Sequence, residues 1–265
     1  MRNRSHGGIR PAARRAHPRA RRAAVLWSLL TFGSAPGLLA APGLSGEPGL
    51  VFVPTADPVP RGQYSVGINV AERAFRPYPS SEKDTIVHFL NVGLAPALDV
   101  TVRVTSFDGK PFARYYRPGE WADFTNKWGY PLGGYMVDRS IGARLRVLRQ
   151  QGLRPAVALG TRDPTGTQML SAEYAVGSWR FPNPADAAAP GVRWGIHVGT
   201  GTGRLSGVFA GLECQPTPWL SLSVERALGD THLGAHWRIT RRLQLQPVLL
   251  GMRRFGGGMV YTSSL

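Results

Sequence analysis

The chain of 265 residues carries one cysteine, Cys214, which excludes an internal disulfide framework and any cysteine-based metal cluster. Charged side chains are sparse, at 18%. No apolar run reaches the roughly 20 residues that a helix needs to cross a bilayer; residues 23–32 come nearest and are followed at once by Gly33, Pro36 and Gly37. Acids are missing from the first forty residues, which hold eight arginines (Arg2, Arg4, Arg10, Arg14, Arg15, Arg19, Arg21 and Arg22), half of the formal charge of +16. The chain also lacks a recognisable nucleophile or an acid pair at catalytic spacing, so it is read as having no chemistry, cofactor or metal of its own. Asp163 and Glu173 are the nearest approach to a glycosidase pair, and nothing in the sequence brings them to the separation that reaction requires.

Glycine (33) and proline (22) are abundant instead, as in a chain of many short strands joined by turns. The basic run to Arg22, the apolar run behind it and the small residues through Ala41 read as a signal peptide over residues 1–41. A nucleic-acid-binding arm would leave the Leu/Trp-rich run unexplained, and Arg21-Arg22 admits a twin-arginine signal. Residues 42–61 form a short apolar patch hemmed by Pro and Gly, read as a plug or as the segment by which the chain enters a barrel from the periplasm. Residues 62–265 read as one barrel.

Residues 138–179 carry the pattern most openly. Apolar and polar or tiny residues alternate at period two, which sends them to opposite faces of a sheet. One face collects Ile141, Ala143, Leu145 and Val147, then Val157 and Leu159, then Leu170, Ala172, Tyr174 and Val176. The other collects Gly142, Arg144 and Arg146, then Arg154, Ala158, Gly160 and Arg162, then Ser171, Glu173 and Gly177. An apolar outer face over a polar inner one suits a transmembrane β-barrel. The same alternation recurs from residue 62 to the C-terminal end, giving an all-β, antiparallel, up-and-down barrel of about 12 strands, an even number as such barrels show. The connections 72–84 and 108–133 fall at one end, and the short turns 95–97, 149–152, 214–218 and 240–242 at the other; residues 181–191 are a long connection at the short-turn end. Cys214 is expected to be buried or lipid-facing at a turn.

Several residue groups could bind. Arg103, Arg144, Arg146, Arg154, Arg162, Arg193 and Arg238, with Glu173, Glu213 and Glu225, could form a luminal track for an anionic polysaccharide, since guanidinium matches carboxylate and phosphate geometry. The competing reading is a lumen of mutually satisfied Arg–Glu pairs. Tyr115, Tyr116, Trp121 and Trp128 stand in a long aromatic connection suited to stacking on sugar rings, or to an interfacial girdle or a lid packed over the barrel mouth. His197, His232 and His236 share the inner face, where an ordinary polar lumen competes with a metal site. The glycines at 199–203 do not open a helix, so hairpin flexibility accounts for them.

Three blocks, GLSGEPGLVFVPTADPVPRGQYSVGIN, LAPALDVTVRVTSFDG and DRSIGARLRVLRQQGLRPAVALGTRDPTGTQMLSAEYAVGS, resemble the YjbH-like family of outer-membrane β-barrels linked to exopolysaccharide or capsule production. The resemblance implies an outer-membrane protein with a structural or export role. Its implied partners are outer-membrane lipid, an anionic polysaccharide and other envelope export proteins, and no nucleic acid. A soluble exported β-sheet protein that binds carbohydrate is the alternative, because period-two alternation only requires that one face leave water. The barrel reading predicts that Leu159→Arg, at roughly 2–4 kcal/mol for an arginine facing mid-bilayer lipid, blocks assembly, while Arg146→Ala leaves the protein inserted. Heat-dependent mobility of the outer-membrane fraction measures both, and equal tolerance would count against a barrel.

Overall fold

The structure is a computed structural model and describes residues 41–72, 84–106, 137–165, 168, 170–182 and 191–265. Twelve strands close into one antiparallel barrel. In chain order they are β1 (Gln63–Ala71), β2 (Thr85–Ala95), β3 (Leu98–Ser106), β4 (Val137–Leu148), β5 (Ala156–Arg162), β6 (Ala172–Phe181), β7 (Arg193–Gly201), β8 (Gly207–Thr217), β9 (Leu220–Ala227), β10 (Asp230–Arg238), β11 (Leu243–Leu250) and β12 (Arg254–Ser264). Each pairs with its neighbours in sequence. The seam joins β1 to β12 from Gln63↔Ser264 to Ala71↔Gly256, so no edge is left unpaired.

Period two explains the outer surface. Val66, Leu90, Val102, Ile141, Leu145, Leu159, Ile196, Leu212, Val224 and Met259 all face outward and are exposed. So continuous an apolar exterior on a closed sheet suits lipid and not water, which makes this a transmembrane barrel and removes the soluble β-sheet alternative. Near the rim that bears the start of β1 and the end of β12, Tyr64, Trp179, Phe181, Trp194, Trp237 and Tyr261 face outward in an aromatic band, the placement that amphipathic rings take at a membrane interface. Strand β6 ends and β7 begins at that rim. At the opposite rim β1 and β3 end and β2 and β4 begin, together with the two-residue turn Leu228-Gly229, where both residues have positive φ (54° and 81°) as a tight hairpin turn demands.

Three expectations from the sequence are corrected. Strand β6 is in the opposite phase: Ala172, Tyr174 and Val176 point inward and are buried, while Glu173 is exposed on the outside. Arg154 is exposed in the β4–β5 turn. Cys214 faces outward within β8, opposite Trp194 and Leu222, and not at a turn.

The reason for the phase of β6 lies in the lumen. Side chains alone just fill a barrel of about 8 strands; this one has 12 and is filled by its own chain. Leu44, Leu50, Val51, Phe52, Val53 and Ala56 are buried in one cluster with Ala71, Val87, Ala158, Ala172, Tyr174, Val176, Phe209 and Val248 from the wall. An apolar filling lets apolar residues of β6 face inward. The wall is moulded to the filling by glycine: a Cβ at Gly234 would stand 2.7 Å from Val51 Cγ2, and one at Gly93 would stand 2.6 Å from Val59 O and closer still to Pro60 O. At Gly211 the atom met is the mobile Leu50 Cδ1. Gly93→Ala, which meets backbone, is therefore expected to lower stability by about 1–3 kcal/mol, and Gly211→Ala, which meets a side-chain tip, by less. The urea midpoint for loss of the folded gel band would rank them, and the reverse order would contradict the mould.

Candidate functional site

Residues 42–61 enter the lumen beside the β10–β11 turn, reach the opposite rim at Phe52 and return to Val59 and Pro60 beside β2. The segment is first tied to itself. Leu44 N–H donates to Val51 O (2.9 Å), Leu50 N–H to Val53 O (2.9 Å) and Gly43 N–H to Glu47 O (2.8 Å). These bonds leave other backbone groups turned towards the wall, where an unpaired buried donor or acceptor costs about 1–3 kcal/mol.

Inward side chains meet them group by group. The Glu225 carboxylate of β9 accepts three successive backbone N–H groups, from Val51 (3.0 Å), Phe52 (2.7 Å) and Val53 (3.1 Å). Arg144 of β4 donates to the carbonyls of Pro48 (3.1 Å), Thr55 and Asp57 (2.6 Å), and its charge is met by Asp99 at 2.8 Å. Arg162 of β5 donates to Phe52 O (3.0 Å), pairs with Glu47 and lies 5.5 Å from the centre of the Tyr174 ring. Tyr174 donates to Glu47 (2.8 Å), and Asn69 to Gly43 O and Leu44 O (3.1 and 2.9 Å). Arg180 of β6 bridges Asp57 (2.5 Å) and Glu213 (2.6 Å).

The segment's two carboxyl groups are held ionised. Burial pushes Glu47 up, but the charge of Arg162 and the hydrogen bonds from Arg162 and Tyr174 outweigh it and hold the pKa below the usual carboxylate range. Asp57 is likewise raised by burial and brought lower on balance by the charge and hydrogen bond of Arg180.

Of the arginines expected to form a track, Arg103, Arg144 and Arg162 are buried in the lumen. Arg103 donates to Ser140 (3.0 Å) and lies 3.9 Å from Asp138. Arg146, Arg193 and Arg238 are on the inner face nearer the rim of the chain ends, partly exposed, while Arg154 and Glu173 lie elsewhere, as described above. Tyr115, Tyr116, Trp121 and Trp128 fall outside the described residues. His197, His232 and His236 do face inward, on β7 and β10; among the described residues no group of three or more His, Cys, Asp or Glu side chains could hold a metal ion.

Arg180, Asn69, Asp99 and Ser178 were not anticipated. Arg180 could have been found by extending the period of β6 in its correct phase; the others show their role only once the segment is in place. Ser178 Oγ lies 2.8 Å from His197 Nδ1, whose Nε2 is 3.7 Å from Glu213. That order of residues suggests a hydrolytic relay, but Ser178 Oγ also accepts the Ala56 N–H (2.8 Å) and is buried beneath the segment. Ser178 therefore holds backbone of the segment with His197 behind it, while Glu213 is engaged by Arg180 and Ser221.

These features define a transmembrane β-barrel whose lumen is occupied by its own chain. Residues 44–218 match the family model described as exopolysaccharide biosynthesis protein YbjH, and the chain belongs to this family. No curated protein matches the sequence. Among solved structures, similarity extends to the outer membrane channel COG4313 of Pseudomonas putida F1 (14% identity, 79% of this chain and 98% of that one, TM-score 0.35). Outer membrane phospholipase A of Escherichia coli (11%, 78% and 93%, 0.36) and a triple mutant of the Rhodopseudomonas blastica porin (8%, 76% and 98%, 0.31) are also similar. At such scores these are likenesses of outline, and none of those activities transfers to this chain.

Replacing Glu225 by Leu orphans three N–H donors and is expected to release residues 42–61 to added protease while the barrel keeps its heat-dependent mobility; Glu225→Gln retains an acceptor and should release them less. Protection of the Leu variant equal to that of the wild type would show that this carboxylate does not hold the segment.

Proposed function

We propose that this protein is an outer-membrane member of an exopolysaccharide production system that acts as a sealed barrel, without chemistry of its own. The carrying observation is the segment 42–61, which fills the lumen and whose backbone is bonded to the wall from Asn69 round to Glu225. Family membership supports the polysaccharide connection. The exterior and the aromatic band support outer-membrane residence, and the rim with the start of β1 and the end of β12 then faces the periplasm. Residues 1–41, with their basic run, apolar run and small residues, serve in this reading as the export signal.

A second reading is favoured by the identity of the wall residues. If the segment were withdrawn, Arg144, Arg162 and Arg180 would line the lumen without the segment's carbonyls and without Glu47 and Asp57, Arg144 and Arg180 keeping only Asp99 and Glu213 of the wall, a basic track for a polyanion. The sealed barrel then becomes a gated export conduit.

Conductance across a planar bilayer separates the two. The refolded full chain is expected to show no sustained open-channel steps, and a chain lacking residues 42–61 to show them if it inserts. Sustained steps from the full chain would sink the sealed reading. Steps that appear only when an anionic polysaccharide is added would favour the gated conduit. In cells, loss of the gene should lower secreted exopolysaccharide, with restoration by the intact chain; unchanged secretion would remove the polysaccharide role.

A further inference from the structure

At the rim opposite the chain ends, the filled lumen opens into a bowl of about 700 Å³. Its walls are the turns β7–β8, β9–β10 and β11–β12 with the end of β1, and they bring Arg204, Arg253 and Arg254 to face Glu72 and Asp230 across a floor that includes Phe52. The volume falls in the range of small-ligand sites, roughly 300–1,000 Å³.

The floor is fixed. Phe52 is bonded through its N–H to Glu225 and through its carbonyl to Arg162, and its ring meets His232 edge-on at 4.9 Å. His232 is locked as well: Nδ1 accepts the Gly251 N–H (3.1 Å) and Nε2 donates to Ala227 O (3.1 Å). That pattern keeps the imidazole neutral and leaves the charge of the bowl to the arginines and the two acids.

Those charges do not cancel. Among the described residues, three guanidinium groups face two carboxylates. Arg204 is partly buried, and among the described residues its side chain has neither an ion-pair nor a hydrogen-bond partner; burial lowers its pKa with no acid opposing the shift. A desolvated cation without a counter-ion is costly to keep unless a ligand supplies one.

We infer that the bowl is a binding site for an anionic saccharide, with Arg204, Arg253 and Arg254 holding its carboxylate or phosphate groups above the floor that contains Phe52. The anionic part of this assignment rests on the bowl alone, and the saccharide part on the exopolysaccharide reading. Two sources share the chemistry: a secreted acidic polymer, and the phosphorylated sugar headgroup of the outer-leaflet lipid.

Calorimetric titration of the folded full chain in detergent tests the assignment, with trigalacturonate standing for the polymer and a bisphosphorylated glucosamine disaccharide for the headgroup. At least one should bind, and neutral maltotriose should bind tenfold more weakly or worse. Preference for trigalacturonate assigns the polymer, and preference for the disaccharide assigns the lipid. Arg204→Gln should weaken binding tenfold or more, and Arg241→Gln, at the opposite rim, should not. Should Arg204→Gln fail to fold, the wild type decides by salt: binding of the anionic probe must weaken as ionic strength rises. Binding of neither anionic probe, equal binding of maltotriose, unchanged binding in a folded Arg204→Gln variant, or salt-independent binding would each overturn the assignment. Because the titration is indifferent to conductance, an open channel would refute the sealed lumen without touching this result.

Discussion

Every backbone N–H and carbonyl taken out of water needs a partner, and in this protein that requirement falls most heavily on a stretch with little regular structure to satisfy it. A strand of the wall finds its partners on both sides. The segment inside the barrel cannot, because its turns at Gly46 and around Val51 aim polar groups outward in several directions. The wall answers with charged side chains chosen by polarity: a carboxylate where three N–H groups converge, and guanidinium groups where carbonyls converge. Charge-assisted bonds of this kind are about twice as strong as neutral ones. The polar inner face of the barrel is thus the complement of one particular path of the chain.

The same path accounts for the glycines. At several of its closest approaches to the wall the segment meets a residue without a side chain, as at Gly93 against Pro60 and Gly234 against Val51. Arginines and glycines on one face are here two halves of one fit: long side chains reach where the segment stands off, and glycine stands at several points where it comes closest. Among the described residues, a large open space lies at the far rim, where the fit ends at Phe52.

The strands and the outward residues were legible because lipid imposes one demand on every strand, and a period of two expresses it directly. Strand β6 was misread for the complementary reason. Its inner face packs Ala172, Tyr174 and Val176 against protein, its outer face carries Ala175 and Gly177, and its polar markers Glu173 and Arg180 stand on opposite sides. With both faces out of water the alternation no longer says which is which, and Arg180 was lost with the phase. Residues 42–61 stood out as an apolar patch between Pro and Gly, yet their partners lie from 25 to 204 residues away. Pairings at such separations depend on where the barrel closes, and no local pattern encodes that.

The seam between β1 and β12 has a bearing on how the molecule comes to exist. Residues 42–61 precede β1, run to the far rim and come back, so both legs of the excursion lie inside a ring that becomes continuous only when the last strand meets the first. A segment bonded to strands all round the ring is placed most simply before the seam closes, lying against the open sheet as the former around which the wall is curved. In that sense the innermost part of the protein is its scaffold, and the cylinder is what is cast upon it.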